Sequence, residues 1–226
     1  RFPGADGVFN TPDDIFGSAG VVKSDANDNM VRDTVFGVGV QVTNRAANSP
    51  INAAFAPTLF WDGRALPTFI DPQTGTVAIN AGGALESQCV NPPVSTVEMG
   101  HTGYDWNVIS AKLTHVRPLE LATNHTADIT AALSGGVDYP ELFRRAFGDP
   151  AITARRIAFA LATYERTLIA DQTPFDRFNA GVPAGQPGSL TPQQAQGFQL
   201  FQVHRCNACH SPANGGMMTD FTFRNI

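Results

Sequence analysis

The most informative segment of this chain reads Arg205-Cys206-Asn207-Ala208-Cys209-His210. Its C-x-x-C-H spacing is typical of covalent attachment of a c-type haem. On a tight helical turn, two thiols three residues apart can each add to one haem vinyl group, and the next residue offers an imidazole to the iron. The motif therefore predicts Cys206 and Cys209 as thioether anchors and His210 as the proximal iron ligand.

Two other uses of a C-x-x-C string compete with haem attachment, namely thioredoxin-like redox sites and zinc sites. A thioredoxin motif follows a strand in a βαβ pattern, and a zinc site needs a second pair of Cys or His nearby. The sequence has no Cys or His after His210. Upstream, residues 190–201 combine a Thr cap, a Pro at the first helical position and apolar residues at helical spacing. This context favours haem attachment at the end of a helix.

Composition limits the partners of the chain. Its 226 residues are 42% hydrophobic and 15% charged, which is typical of one or two globular domains. The net charge of −5 argues against nucleic acid or an anionic membrane as the main partner. The most hydrophobic stretch, from Ile157 to Ala170, is interrupted by Glu165 and Arg166, so no membrane span is predicted.

The compartment follows from the haem motif. Because c-type haem is installed outside the cytoplasmic membrane, we expect a bacterial periplasmic or secreted protein whose signal peptide has been removed. Cys89 is the odd third cysteine, and it is either a buried thiol or half of a bridge to a partner outside these residues. We predict the buried thiol.

Hydrophobic spacing predicts several helices. They cover residues 106–113 and 139–147, and a longer one begins near Ile152 and runs through Leu168. Residues 1–50 are rich in Gly, Asp, Asn and Pro, and we expect irregular structure with little strand there. A Pro- and Gly-rich stretch at 180–188 separates the long helix from the haem helix, so a domain crossover is predicted at 171–189.

Short strings elsewhere in the chain carry a resemblance to a known family. They are Asn-Ala-Ala-Phe (52–55), Leu-Phe-Trp-Asp-Gly-Arg-Ala (59–65), Glu-Ser-Gln (86–88), Pro-Pro through Glu-Met-Gly (92–100), Glu-Arg-Thr-Leu (165–168), Pro-Phe-Asp-Arg-Phe (174–178), the haem motif, and Thr-Asp-Phe through Arg-Asn (219–225). In this order they resemble the bacterial dihaem cytochrome c peroxidases together with the MauG-like enzymes. The resemblance covers the chain from about residue 30 to its end.

The resemblance implies a mainly α fold with two cytochrome c-like helical domains, long irregular loops and little β structure. Residues 1–170 would form part of the N-terminal, peroxidatic domain without its own haem motif, and residues 171–226 would begin the electron-transfer domain. The haem at His210 would then relay electrons. A second haem is expected upstream of Arg1, and the family segment is expected to continue past Ile226. We therefore expect these residues to be the middle of a larger protein: the chain is cleaved from it, is one part of its sequence, or is completed by another chain.

Three residues match the peroxide pocket of the family. Glu98 matches the carboxylate that moves a proton from the near to the far oxygen of bound peroxide. Gln88 matches an amide that hydrogen-bonds peroxide or ordered water, and Trp61 matches an indole between the two haems. Each has a plain alternative, because a lone Glu or Gln is usually solvated and a Trp beside Leu59 and Phe60 is usually in the core.

Three departures from the family bear on this site. The chain carries an insertion, residues 66–85, between the Trp61 string and Gln88. No His precedes His101, so the loop His that blocks the peroxidatic iron in many members has no counterpart, and the iron would be open as in MauG-like enzymes. The family also holds a calcium ion between its domains. The expected ligand position falls on Ala46, and Asn48 is a shifted candidate.

The sequence thus predicts an oxidoreductase of the dihaem cytochrome c peroxidase type. It would reduce hydrogen peroxide with electrons from a small donor protein, a cytochrome c or a cupredoxin, relayed through the haem c at Cys206, Cys209 and His210. Two alternatives stay open, a MauG-like haem oxidase of protein Trp or Tyr residues and a non-catalytic c-type electron carrier. Association as a homodimer or with a further chain segment fits either of the enzyme hypotheses.

Overall fold

A computed structural model describes residues 1–25, 27, 29–43, 45–212 and 217–223. Helix accounts for 31% of the residues and strand for 9%, so the prediction of a mainly helical chain with little sheet is confirmed. The α-helices are α1 (Ala84–Cys89), α2 (Trp106–Leu113), α3 (Ala127–Ala132), α4 (Tyr139–Phe147), α5 (Ala154–Glu165), α6 (Pro174–Asn179) and α7 (Pro192–Val203). The strands are β1 (Ala19–Val22), β2 (Val40–Val42), β3 (Phe69–Ile70) and β4 (Val77–Ile79).

The first fifty residues are largely irregular, as predicted. Among the described residues of this segment, the one sheet is the antiparallel pair of β1 and β2. Between these strands, side chains rather than strand pairing bind the backbone N–H groups of the turns. The Asp33 carboxylate, for example, accepts hydrogen bonds from the backbone N–H groups of Val35 and Phe36 at 2.8 and 3.0 Å. Asp and Asn compete for backbone donors in this way, which explains the low strand content of the segment.

The insertion at 66–85 contains the β3–β4 hairpin, which packs into the core. Phe69 is fully buried, and its ring meets that of Phe159 edge-on at a centroid distance of 6.1 Å. At the turn, the Gln73 side chain accepts a hydrogen bond from the Ala154 backbone N–H at 2.7 Å and donates one to Asn107 Oδ1 at 3.1 Å. The hairpin therefore caps the first turn of α5 and ties it to α2.

The core lies where α1 packs against α5. Ala154 and Ala158 are fully buried on α5, and their small side chains let α1 approach closely. Cys89 and Val90 at the end of α1 belong to the same buried cluster as Trp106, whose indole N–H donates to the Val90 carbonyl at 3.1 Å. Burying each large apolar side chain here contributes about 1.5–3 kcal/mol.

An ion pair fastens α1 to the residue after α5. The guanidinium of Arg166 donates to both carboxylate oxygens of Glu86, at 2.7 and 3.0 Å. Only 4% of the Glu86 side chain is exposed, against 40% for Arg166. The buried carboxylate thus depends on this bidentate partner for its charge compensation.

The predicted helices match the structure closely, with one difference in length. α2 and α4 have the predicted bounds, and Thr191 caps α7 in a capping box with Gln194. α5 ends at Glu165, short of the predicted Leu168. The helix stops there because Asn52 binds the chain that follows. The Asn52 backbone N–H donates to the Leu168 carbonyl at 2.9 Å.

The predicted crossover at 171–189 contains a helix of its own, α6, which begins with a Thr173 capping box. Whether it separates two cytochrome c-like domains stays a prediction. Within the described part of the chain, no helix has the length and apolar character needed to cross a bilayer.

Candidate functional site

The haem motif lies on a compact turn at the end of α7. Arg205 takes a left-handed conformation with φ of 61°, and a short 3-10 helix follows at Cys206–Ala208. The His210 backbone N–H donates to the Cys206 carbonyl at 3.0 Å, so the motif closes on itself. Cys206 is exposed and Cys209 half-buried, and both are free thiols. Both sulfur atoms can therefore be reached for attachment.

The His210 ring is oriented by a second contact. Its Nδ1 lies 3.0 Å from the backbone carbonyl oxygen of Met218. A carbonyl only accepts, so Nδ1 carries the proton and Nε2 keeps its lone pair for a metal. A histidine ligand is usually held by such a contact on its other nitrogen. The residues of the motif fit a c-type haem.

A separate cavity of about 270 Å³ lies between the N-terminal segments and the α1–α5 pair. It gathers the three residues predicted for the peroxide pocket, Trp61, Gln88 and Glu98, and the calcium candidate Asn48. The other lining residues are Ser18, Ala19, Thr43, Arg45, Ala46, Ala47, Ser49, Pro50, Ala53, Leu59, Phe60, Arg64, Leu85, Pro92, Met99 and Glu165. Of the 66–85 insertion, the lining includes only Leu85 among the described residues, so the insertion leaves the cavity open.

Glu98 is held by an ion pair on one side only. Its Oε1 accepts a hydrogen bond from Arg64 Nη2 at 3.0 Å, and 12% of the side chain is exposed. Its Oε2 is buried, and no donor among the described residues contacts it. A buried carboxylate oxygen without a donor is costly, so it is expected to meet a ligand or water. The plain alternative of a solvated surface glutamate is wrong.

Arg64 is positioned by the tight loop that carries Trp61. Leu59 and Ala65 exchange backbone hydrogen bonds at 3.1 and 3.3 Å and close this loop. The Arg64 guanidinium carbon lies 3.7 Å from the centroid of the Phe60 ring, in the geometry of a cation–π contact. Arg64 Nη1 also pairs with Asp62 Oδ1 at 3.0 Å. These contacts fix the cation that holds Glu98.

The Trp61 indole and the Gln88 side-chain amide are accessible to a ligand in the cavity. Trp61 is 87% exposed, so the plain alternative of a core indole is wrong. Gln88 lies half-buried on α1, and no described residue hydrogen-bonds its side-chain amide. An amide of this kind can both donate to and accept from a small polar ligand.

Asn48 is exposed at the cavity rim, close in sequence to Ala46, which also lines it. Among the described residues, no group of three or more His, Cys, Asp or Glu is arranged to hold a metal ion. Asn48 as a calcium ligand therefore stays a prediction.

A second carboxyl group reaches the cavity from the end of α5. Glu165 Oε2 accepts a hydrogen bond from the Cys89 thiol at 3.7 Å. Burial raises the pKa of Glu165 above its ordinary value of 4.5. Burial first, and the Glu165 carboxylate second, raise the pKa of Cys89 to about 12. Cys89 is 6% exposed and free, so the predicted buried thiol is confirmed.

Three residues of these sites carried no role in the sequence predictions: Arg64, Glu165 and Met218. Arg64 and Glu165 both lie in strings that carry the resemblance, and Glu165 breaks the most hydrophobic stretch of the chain, which is a signal for a special environment. Met218 contributes a backbone carbonyl, which no residue type reveals.

Comparison with known proteins identifies related chains. Residues 22–183 match the family described as di-haem cytochrome c peroxidase. The cytochrome c peroxidase Ccp of Escherichia coli (strain K12) is 29% identical over 203 residues, which are 86% of this chain and 34% of the relative. The methylamine utilization protein MauG of Methylophilus methylotrophus is 28% identical over 185 residues, 80% of this chain and 41% of the relative.

The cytochrome c551 peroxidase of Pseudomonas aeruginosa (strain PAO1) is 27% identical over 194 residues, 84% of this chain and 43% of the relative. The chain thus spans between a third and a half of the length of these relatives. Proteins named as peroxidases and as MauG match it at similar identity.

Proposed function

Because the chain belongs to the di-haem cytochrome c peroxidase family, we propose that the whole protein reduces hydrogen peroxide in the cavity beside Glu98. The observation that carries this proposal is the buried Oε2 of Glu98, which no described donor contacts. Cys206, Cys209 and His210 would hold a haem c, which would supply the electron-transfer chemistry. Glu98, Gln88 and Trp61 are the site residues of the proposed reaction.

A haem bound at this site would supply redox chemistry with peroxide. The chain supplies the proton chemistry. The paired Oε1 holds the Glu98 carboxylate in place, and the unpaired Oε2 takes the proton of the near peroxide oxygen and returns it to the far one, so that water leaves. The Gln88 amide donates a hydrogen bond that orients the peroxide. The exposed Trp61 indole would be available to carry electrons between the two haems when they are bound.

The remaining parts of the proposal follow from the family. The cavity haem is anchored by a segment outside these 226 residues, and residues 1–170 and 171–226 belong to two cytochrome c-like domains. A small cytochrome c or cupredoxin donates the electrons in the periplasm. The family-implied calcium ion, with Asn48 as candidate ligand, has no step in this mechanism.

A second candidate is a MauG-like oxidase of Trp or Tyr residues in a protein substrate. It is favoured by the relatives named MauG and by the lack of any His before His101 that could block the iron. The two enzymes differ in the fate of the oxidising equivalents. A peroxidase passes them quickly to a small donor, whereas an oxidase of protein residues stores them.

The test uses the complete protein with both haems attached, reduced cytochrome c or cupredoxin, and hydrogen peroxide. We expect two donor molecules oxidised per peroxide. Replacement of both anchors, Cys206→Ala with Cys209→Ala, removes the covalent haem and abolishes this turnover. A long-lived oxidised state with slow donor oxidation would support the MauG-like candidate. No reaction of the two-haem protein with peroxide would leave the electron carrier as the function and overturn the proposal.

A further inference from the structure

We propose that Glu165 is a second catalytic acid of the cavity, which delivers a proton to the second water formed from peroxide. This inference rests on the proposed function. The Glu98 carboxylate does not supply that proton, because it only moves a proton from one peroxide oxygen to the other. Glu165 lines the same cavity from the end of α5.

The balance of the reaction requires a further proton source. Peroxide, two protons and two electrons give two water molecules. When the O–O bond breaks, the first water carries both protons that peroxide brought. The remaining oxygen atom takes two electrons, which the reduced donor supplies through the haem at His210, and two protons, which must come from outside the peroxide. In this proposal Glu165 gives one of them and is reprotonated from solvent, and solvent water gives the other directly.

The geometry sets Glu165 apart from Glu98. Among the described residues, these two are the only carboxyl side chains that line the cavity. Glu98 is paired with a guanidinium at 3.0 Å, which suits a carboxylate that accepts a proton. Glu165 instead accepts a hydrogen bond from a neutral thiol, that of Cys89, at 3.7 Å.

Burial, rather than the neighbouring charges, favours the protonated form of Glu165. Arg166, next in the chain, donates two guanidinium hydrogen bonds to Glu86. Only part of its positive charge therefore acts on Glu165. The other groups that face it are the carboxylate of Glu86 and the thiol of Cys89, both on α1, while Glu98, Arg64 and Arg45 line the same cavity. Burial outweighs the lowering by the thiol and by Arg166, and the pKa of Glu165 is raised. Two carboxyl groups in environments this different suit separate base and acid roles.

The first test is infrared spectroscopy of the complete protein, which does not depend on activity. The difference spectrum between wild type and Glu165→Gln should contain a protonated-carboxyl C=O band that titrates above the ordinary glutamate range. The S–H band of Cys89 should shift in the same variant, because this thiol donates to Glu165; the band is assigned by its loss in Cys89→Ala. Absence of the C=O band would overturn the proposal.

The second test is the pH profile of peroxide turnover. The wild-type rate should fall as the pH rises through the pKa of Glu165, because the acid form is lost. Glu165→Gln should lower the rate on the order of 100-fold, the lower end of the range for a positioned acid, and should abolish this limb. Glu165→Asp, which keeps a carboxyl group, should recover part of the rate. Glu120→Gln, at an exposed glutamate outside the cavity lining, is the matched control and should change nothing.

Haem content and circular dichroism establish that the Glu165→Gln variant is folded. If the folded variant keeps the wild-type rate and pH profile while the wild type turns over peroxide, the acid role of Glu165 is refuted and the proposed function stands. If the wild type itself fails to reduce peroxide, the proposed function fails instead.

Discussion

Replacing Arg166 with Met should loosen the contact between α1 and α5. The change removes the bidentate partner of Glu86 and leaves a carboxylate with 4% side-chain exposure without its cation. Removing one partner of a fully buried pair costs about 3–5 kcal/mol. Because 40% of the Arg166 side chain is exposed and water screens the pair, we expect Arg166→Met to lose about 2 kcal/mol of local stability. The double variant Arg166→Met with Glu86→Gln removes the stranded charge and should recover about half of this loss.

Hydrogen exchange followed by mass spectrometry measures this effect locally in the complete protein. Opening of the α1 and α5 peptides should become about 30-fold more frequent in Arg166→Met, which is 2 kcal/mol at about 1.4 kcal/mol per factor of ten. Peptides of α4, which makes its own ion pairs through Glu141, should exchange as in the wild type and serve as the internal control. Unchanged protection of α1, or a double variant no better than the single one, would refute the reasoning.

Two further predictions concern buried or strained positions. Because folding raises the pKa of Cys89 from 9.0 to about 12, its contribution to stability is complete below pH 9 and is lost as the pH rises towards 12. Relative to Cys89→Ala, the wild type should lose at most about 1.4 kcal/mol per pH unit in that window, measured by urea unfolding; parallel curves for both proteins would contradict it. Gly63→Ala should cost at least about 1–2 kcal/mol, because φ is +68° and a Cβ there would clash with the Phe223 ring. Gly75→Ala has a φ of +70° with no such neighbour, so it should be milder in the same assay; equal losses would rule out the contact with Phe223.

The local elements were predictable because their signals are local. α2 and α4 follow from apolar spacing, and α7 follows from Thr191 with a Pro at the next position. The end of α5 was not predictable in this way, because Asn52 sets it from more than a hundred residues away. Caps and spacing act within a few residues, whereas a tertiary hydrogen bond has no local signature.

The same distinction between local and tertiary signals applies to the residues of the site. The residues of the haem motif are read directly from their spacing, and the resemblance alone nominated Glu98, Gln88 and Trp61. That these three line one cavity depends on a loop closed by Leu59 and Ala65 and on the packing of α1 against α5. The environment of each carboxyl group is also tertiary. No sequence pattern shows that Glu98 meets a guanidinium and Glu165 a thiol.

The most direct test of the peroxide site is a stopped-flow measurement on Glu98→Gln. In the complete protein with both haems attached, the second-order rate of the peroxide-induced absorbance change should fall about 10²–10⁴-fold, because glutamine cannot take up the proton of the near oxygen. Glu120→Gln should react at the wild-type rate. If Glu98→Gln, folded and with full haem content, cleaves peroxide as fast as the wild type, the assignment of the cavity as the peroxide site is wrong.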